Sequence, residues 1–333
     1  MSFGKCADDL AKLGVRRFAG FWLVADGSKA PPARHDGDAT LASSSRMRPV
    51  TLTLAVIATL FCGLFLTEKI VPLRLAKSNL FGRLVLNLAM SAMAFIVAGS
   101  LVRPAALHAL AWSSQKPFGL VHLARIPPAV EFVLAFLLMD LTFYWWHVAN
   151  HRVPILWRFH NVHHADPDLD VSTGFRFHFG EVAMSAAFRV AQVTFIGISG
   201  PVFAVYELVF QANTLFHHSN VRLPIWLERL LNIVLVTPRM HGIHHSQIQR
   251  EANSNYGVVF PWWDRLHRTL GLNIPQARVI IGVPAYSRPE DNRFLNIVLM
   301  PFHKQRDYWQ TLEGIRPSRA PAEENGPMTK LAE

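Results

Sequence analysis

Two long apolar stretches without charges lie in the first third of the chain. Residues 49–67 and residues 84–102 each hold 19 consecutive uncharged residues. A helix of about 20 apolar residues crosses the roughly 30 Å hydrocarbon core of a bilayer. The pattern therefore predicts two transmembrane helices.

A third apolar stretch, residues 126–146, carries two carboxylates, Glu131 and Asp140. Each carboxylate would cost about 2.5 to 3.5 kcal/mol if it faced lipid at mid-bilayer, so we expect both to point inward. The stretch ends in an aromatic run at Trp146, which is typical of a membrane interface. A third span is thus favoured over the alternative of a buried helix in a soluble domain.

The second half of the chain combines a broken apolar stretch with an amphipathic region. Residues 182–216 carry only Arg189 and Glu207, and the Gly200-Pro201 pair interrupts them, so we expect two short helices that form a hairpin. Residues 224–310 are mixed and amphipathic, and they predict a cytoplasmic or interfacial helical cap. The predicted fold class is an all-α integral membrane protein with about four to five transmembrane or membrane-embedded helices and a cytoplasmic helical cap.

Composition supports a membrane protein. The 333 residues are 51% hydrophobic and 17% charged, and the mean hydropathy is +0.21, which is unusual for a water-soluble globule. The net charge of +10 is compatible with binding to nucleic acid, with binding to anionic lipid and with orientation of the chain in a membrane. Basic residues between the first two apolar stretches follow the positive-inside rule, and no basic and aromatic stripe indicates a nucleic-acid partner. The two cysteines, Cys6 and Cys62, exclude a disulfide scaffold.

Histidines cluster in the middle of the chain: 11 of the 16 lie between His147 and His245. They form one HxxxH pair and two HxxHH groups: His147 and His151; His160, His163 and His164; His241, His244 and His245. Helical positions i, i+3 and i+4 share one face, so each group directs its imidazoles towards one point. A single HxxxH pair is as often structural as metal-binding. Three groups supply more nitrogen ligands than one ion takes, and they predict a dinuclear metal site.

Ligand type alone leaves the metal open, because imidazole binds zinc, iron, copper and nickel. A site at a membrane surface points to a lipid-like substrate, and the chain contains neither a GxSxG nor an HExxH motif. Oxidation of an unreactive lipid C–H bond needs a redox metal and dioxygen, which favours iron.

The histidine groups and their flanks resemble the fatty acid hydroxylase and sterol desaturase superfamily of membrane di-iron oxygenases, in particular its bacterial branch. The matching stretches occur in family order over residues 130–270. They are residues 140–151 (DLTFYWWHVANH), 157–166 (WRFHNVHHAD), 176–178 (RFH), 216–220 (FHHSN), 237–245 (TPRMHGIHH), 255–257 (NYG) and 263–265 (WDR). Residues 179–180 and 266–268 depart from the family pattern. These departures affect no ligand position, and they are expected to change the shape of the substrate entrance.

The resemblance implies a set of iron ligands, which are also the catalytic residues: His147, His151, His160, His163, His164, His241, His244 and His245. It adds His218 as a ninth ligand and His178 as a further metal residue, either a ligand or a neighbour of one. His217 occupies a variable family position and is expected to face outward.

We expect carboxylates and amides to support the cofactor site. These groups accept the free N–H of a ligating imidazole and fix its tautomer. The candidates are Asp140, Asp166, Glu181, Asn220, Asn255 and Asp264. Asp168 and Asp170 are expected to cap turns or helices instead.

The resemblance implies an O2-dependent oxidoreductase that uses two iron ions to hydroxylate or desaturate an aliphatic C–H position of a membrane lipid, such as a fatty acyl chain, a sterol or a hopanoid. No Rossmann fingerprint or fused haem segment is found, so a separate electron-transfer protein is the expected donor. The expected location is the bacterial inner membrane, with the metal site on the cytoplasmic side. Rival interpretations are a membrane metal-ion transporter, a zinc-dependent lipid hydrolase and a catalytically inactive scaffold.

The sequence divides into four segments. They are a disordered polar tail (1–46), N-terminal transmembrane helices (47–128), a fatty acid hydroxylase/sterol desaturase catalytic domain (129–272) and a C-terminal helical and polar tail (273–333). Translation from Met47 rather than Met1 is an open alternative.

Overall fold

The computed structural model describes residues 15–18, 21–24, 48–116 and 118–319. Two short strands, β1 (Val15–Phe18) and β2 (Phe21–Val24), pair antiparallel. Valine and aromatic residues in these two segments favour extended backbone, and the disordered polar tail over residues 1–46 stays a prediction. The rest of residues 1–46 lies outside the described residues.

Three helical stretches are long and apolar enough to cross a membrane: Leu52–Ile70, Leu80–Ser114 and Pro128–Arg152. They correspond to the three predicted spans. The first belongs to helix α1 (Arg48–Ile70), and only 6% of its apolar window is buried inside the protein. Because the rest of the described protein leaves most of its apolar side chains uncovered, they are suited to contact lipid. The protein is a membrane protein.

The second stretch is longer than the sequence predicted. It consists of α2 (Leu80–Val97), a π-helical turn (Ala98–Val102) and α3 (Arg103–Ser114). The prediction ended this span at residue 102, before the Arg103-Pro104 pair. Helix continues because proline is tolerated in the first turn after the π-helical segment, where its missing N–H is not needed.

Helix α4 (Pro128–Arg152) is the third stretch and carries the first histidine pair. Its buried side chains, among them Asp140 and His147, recur at helical spacing. Asp140 is fully buried, as expected. Pro154 starts the next helix, α5 (Pro154–His164), which carries the first HxxHH group.

The predicted hairpin consists of α6 (Phe179–Ile196) and α7 (Gly200–His218). Gly197 ends α6 in the left-handed conformation with φ +79°, and a Cβ there would lie 2.5 Å from the carbonyl oxygen of Phe118. Glycine is therefore required at this turn. Helices α3, α4, α6 and α7 share one hydrophobic core, which includes Met139, Val193 and Tyr206.

Short helices follow the hairpin. They are α8 (Ile225–Leu231), α9 (Pro238–His244), α10 (Gln249–Ala252), α11 (Trp262–Leu266) and α12 (Phe294–Leu299). Helix α9 packs against α7 and carries the second HxxHH group. Segments near α12 cover α2 and α5 through a second core that contains Met90, Val162 and Ile297. The helical, histidine-rich membrane fold is confirmed.

Candidate metal centre

Nine histidines from four helices form two adjoining groups. The five-histidine group contains His147, His151, His160, His164 and His244, and the four-histidine group contains His163, His218, His241 and His245. Within each group one ring nitrogen per residue lies within 4.8 Å of all the others. All eight histidines of the predicted boxes take part, together with His218. Their roles as ligands remain proposals.

The four-histidine group is compact. Its Nε2 atoms are separated by 3.0 Å between His163 and His218, 3.0 Å between His218 and His241, and 3.1 Å between His241 and His245. Two imidazole nitrogens bound to one ion at about 2.1 Å, with a right angle between them, lie about 3 Å apart. The spacing therefore fits nitrogens that converge on a common ion.

The five-histidine group contains buried nitrogens without hydrogen-bond partners. They are the Nε2 atoms of His160, His164 and His244 and both ring nitrogens of His151. A buried polar nitrogen without a partner costs about 1 to 3 kcal/mol. Several such nitrogens directed towards one point are explained if they bind a metal ion. The residues of the five-histidine group therefore also fit a metal ion.

Imidazoles outside the spanning helices are held in the neutral form. Burial first, and neighbouring imidazoles second, lower the pKa of these rings well below the usual range; they are His163, His164, His241 and His245, with the same direction at His244. A neutral imidazole offers a nitrogen lone pair, which a metal ion requires.

Acceptors behind the rings fix several tautomers. In the five-histidine group, Nδ1–H of His160 donates to Oε1 of Glu181 at 2.9 Å. Nδ1–H of His147 donates to the carbonyl oxygen of Tyr256 at 2.8 Å, and that of His244 donates to the carbonyl oxygen of Ser254 at 2.7 Å. Each bond leaves Nε2 free to face the centre of the group.

The four-histidine group has two such acceptors. Nδ1–H of His218 donates to the carbonyl oxygen of Thr214 at 2.8 Å, and that of His163 donates to the carbonyl oxygen of Arg176 at 3.3 Å. Sequence reasoning missed all four carbonyl acceptors, since a backbone oxygen leaves no mark in residue identity.

Of the six predicted supporting residues, only Glu181 contacts an imidazole. The other five bind backbone or side-chain groups around the site, and their role in supporting the centre stays a prediction. Asp264 accepts the backbone N–H groups of Tyr256 and Gly257 at 2.8 and 2.7 Å. Asn255 donates to the carbonyl oxygens of Met240 and Gly271 at 2.9 and 2.8 Å.

Asp264 and Asn255 thus fix the loop formed by residues 254–257, whose carbonyls receive His147 and His244. Asn255 has φ +56°, a left-handed conformation that asparagine tolerates. A Cβ at Gly257 would lie 2.8 Å from Oδ2 of Asp264, so the close approach requires glycine.

The remaining three join segments of the protein. Asp140 accepts Nε1–H of Trp263 at 2.8 Å and the backbone N–H of Phe260 at 3.1 Å, which ties α4 to the residues after the loop. Asn220 makes two hydrogen bonds with the backbone of Arg74, at 2.9 and 2.8 Å.

Asp166 binds the guanidinium of Arg83 through both carboxylate oxygens, at 2.7 and 2.9 Å. Burial alone would raise the pKa of Asp166, but Arg83 and Arg176 hold it below its ordinary value. This charged pair attaches α2 to the end of the first HxxHH group. Asp170 caps a 3₁₀ helix (Val171–Phe175), as expected, whereas Asp168 accepts backbone N–H groups from Lys77 and Ser78.

His178 belongs to neither group, and its assignment as a metal ligand or a neighbour of one stays a prediction. Its Nδ1 accepts the backbone N–H of Gly180 at 2.9 Å and caps α6, while Nε2–H donates to the carbonyl oxygen of Val298 at 3.0 Å. Both nitrogens are therefore used. His217 differs from expectation: it is buried, and its ring centroid lies 4.1 Å from that of His241.

Comparison with known proteins gives one family model. Residues 132–269 match the model described as fatty acid hydroxylase. No solved structure is a significant match to this chain.

Three curated relatives are lipid-modifying enzymes by name. An ornithine lipid hydroxylase of Rhizobium tropici is 33% identical over 140 residues, which cover 42% of this chain and 41% of that protein. Human alkylglycerol monooxygenase is 31% identical over 140 residues, covering 40% and 29%. Human cholesterol 25-hydroxylase is 28% identical over 168 residues, covering 46% and 60%. The chain thus spans less than two thirds of each of these relatives.

Proposed function

Because this chain belongs to the fatty acid hydroxylase and sterol desaturase superfamily through residues 132–269, we propose that it is an O2-dependent oxidoreductase acting on a membrane lipid. The observation that carries the proposal is the convergence of nine histidines, eight of them buried and His151 half-buried, in two groups at the end of the apolar helices. Hydroxylation or desaturation of an aliphatic C–H bond is the proposed reaction.

We propose that the two groups hold two iron ions. The iron pair would supply the capacity to activate dioxygen and to remove hydrogen from an unreactive C–H bond. Imidazole is a suitable iron ligand, and the total of nine exceeds what one ion takes.

The protein's own residues orient and protect this centre. Glu181 and the carbonyl groups of Ser254 and Tyr256 accept N–H groups of the ligands, so each imidazole presents Nε2 inward. His163, His241, His244 and His245 are at most 2% exposed, which excludes bulk water from the centre. Exclusion of water protects an oxidising centre from side reactions.

The proposed substrate is the aliphatic part of a membrane lipid. The relatives are named for an ornithine lipid, an alkylglycerol and cholesterol, and the long apolar helices leave most of their surface unburied, which suits contact with lipid. We place the catalytic domain at residues 129–272 and the metal centre on the cytoplasmic side of the bacterial inner membrane, with a separate protein as electron donor.

The test combines lipid analysis with metal replacement. Lipids from cells with and without the gene are compared by mass spectrometry, and we expect a species that has gained one oxygen atom or lost two hydrogen atoms. A variant with His241→Ala is the matched control and should lack this product. The purified protein should consume O2 with iron and not with zinc. Activity with zinc, or metal flux in vesicles without O2 consumption, would contradict the proposal.

A further inference from the structure

A basic pocket lies at the end of α4, next to the five-histidine group. Its volume is about 470 Å³, and its walls include the exposed side chains of Arg152, Arg250 and Arg316 together with Trp309. Among the residues that the structure describes, no carboxylate lines it. Arg316 also contacts Asp307 at 3.0 Å, so part of its charge is balanced. The pocket nevertheless presents a concentrated positive charge to the aqueous phase.

Aromatic rings connect this pocket with the metal centre. Trp309 stacks on Trp157, with ring centroids 5.6 Å apart and planes 22° from parallel. Trp157 is buried, and its ring centroid lies 4.8 Å from that of His151 and 5.4 Å from that of His164. Two tryptophans therefore form a continuous contact from the pocket wall to two rings of the five-histidine group.

We propose that the basic pocket docks a one-electron carrier protein with an acidic surface, and that electrons pass through Trp309 and Trp157 to the five-histidine group. This inference rests on the proposed function. Each docking oxidises the carrier by one electron and reduces the metal centre by one. Two dockings supply the two electrons which, with O2 and two protons, convert a C–H bond to C–OH and yield one water.

Charge complementarity identifies the partner. Opposite charges steer association and fix the orientation of two proteins, and a cluster of arginines selects a carrier rich in Asp and Glu. The position of the pocket fits this role. Trp309 lies in the pocket wall, so a carrier bound there is next to the first of the two tryptophans that lead to the five-histidine group. The buried centre itself is closed to a protein partner.

Docking is tested by binding, independently of turnover. The probe is an acidic plant-type [2Fe–2S] ferredoxin, titrated against the full chain in lipid nanodiscs. The double variant Arg250→Glu/Arg316→Glu should raise Kd by about tenfold or more and flatten its salt dependence. Arg293→Glu, an exposed arginine outside the pocket, is the matched control and should leave Kd within about twofold. Absence of binding to the wild type, or equal binding by the double variant and the wild type, would overturn the docking site.

The electron route is tested by rapid-mixing oxidation of reduced ferredoxin. Trp309→Leu should slow electron transfer at least about tenfold with Kd unchanged, whereas Trp309→Phe keeps a ring and should retain most of the rate. Reduction by dithionite serves as the reference for every variant. Equal slowing with ferredoxin and dithionite, or no slowing in Trp309→Leu, would overturn the route. Ferredoxin binding without iron or O2 consumption would instead show that the proposed function had failed.

Discussion

The two histidine groups differ in the way the protein orients them. In the five-histidine group, three rings donate to acceptors on two separate segments, which are the carboxylate of Glu181 and the loop formed by residues 254–257. In the four-histidine group, two rings donate to backbone carbonyls, while Nδ1 of His241 and Nδ1 of His245 have no hydrogen-bond partner.

Because of this difference, we expect the two groups to respond unequally to the loss of a ligand. The five-histidine group is anchored from outside, whereas the four-histidine group is compact, with neighbouring Nε2 atoms 3.0 to 3.1 Å apart. An ion with four imidazole ligands has more coordination positions for exchangeable ligands than one with five. It also has fewer ligands to lose. The predictions below test this asymmetry.

Removal of one ligand should have the largest effect, and a larger one in the four-histidine group. His241→Ala leaves three imidazoles in that group, and we expect the loss of about one iron per chain. Activity should fall more than about 100-fold, because the loss of a residue that only supports a ligand already lowers activity by roughly 10- to 100-fold. His147→Ala leaves four in its group and should retain more iron. Elemental analysis of both purified variants checks this. Equal iron retention in both would remove the asymmetry.

Loss of the one carboxylate acceptor should have the next largest effect. Glu181→Gln keeps the size of the side chain but weakens the hydrogen bond from His160, so we expect a 10- to 100-fold decrease in metal affinity or activity. The measurement is competition with a chelator. Glu313→Gln changes an exposed acid and serves as the control. An unchanged affinity in Glu181→Gln would show that this acceptor does not orient the ring.

Weakening of the loop formed by residues 254–257 should act on the five-histidine group through the backbone. Asp264→Asn removes one of the acceptor oxygens for the N–H groups of Tyr256 and Gly257, and we expect a loss of about 1 to 3 kcal/mol in the free energy of unfolding. Iron loss should be partial, because the four-histidine group has no acceptor in this loop. Thermal unfolding and iron content are measured together, with Asp307→Asn as the exposed control. Complete loss of both irons would contradict the separation of the two groups.

Substitution of His178 should have the smallest effect. His178→Asn preserves an N-cap acceptor for α6, so iron content should change by less than about twofold. His178→Ala removes the cap at a cost of about 1 kcal/mol, with the iron still bound. Loss of one iron in both variants would instead show that His178 is a ligand.

Much of this molecule follows from the spacing of its residues. Two uncharged stretches and a third apolar stretch with two carboxylates identified the three candidate spans, and the Gly200-Pro201 pair identified the break in the hairpin. Histidine spacing identified the eight box residues that the structure brings together, because positions i, i+3 and i+4 share a helix face whatever the tertiary structure.

Other features depend on contacts between distant segments. His178 has the same residue type as a ligand, and only the fold shows that both of its nitrogens are used. Asp140 and Asp166 are buried carboxylates near histidines, yet they bind Trp263 and Arg83 rather than an imidazole. The uncharged stretch ended at residue 102, but the helix continues through a π-helical turn to Ser114. Residue identity does not distinguish an acceptor for an imidazole from an acceptor for the backbone.

The most direct test of the central claim is the metal content of the purified protein, combined with X-ray absorption at the iron edge. The account predicts about two iron ions per chain, both bound mainly by imidazole nitrogen. One metal ion or fewer per chain after reconstitution with iron, or preferential retention of zinc, would contradict it.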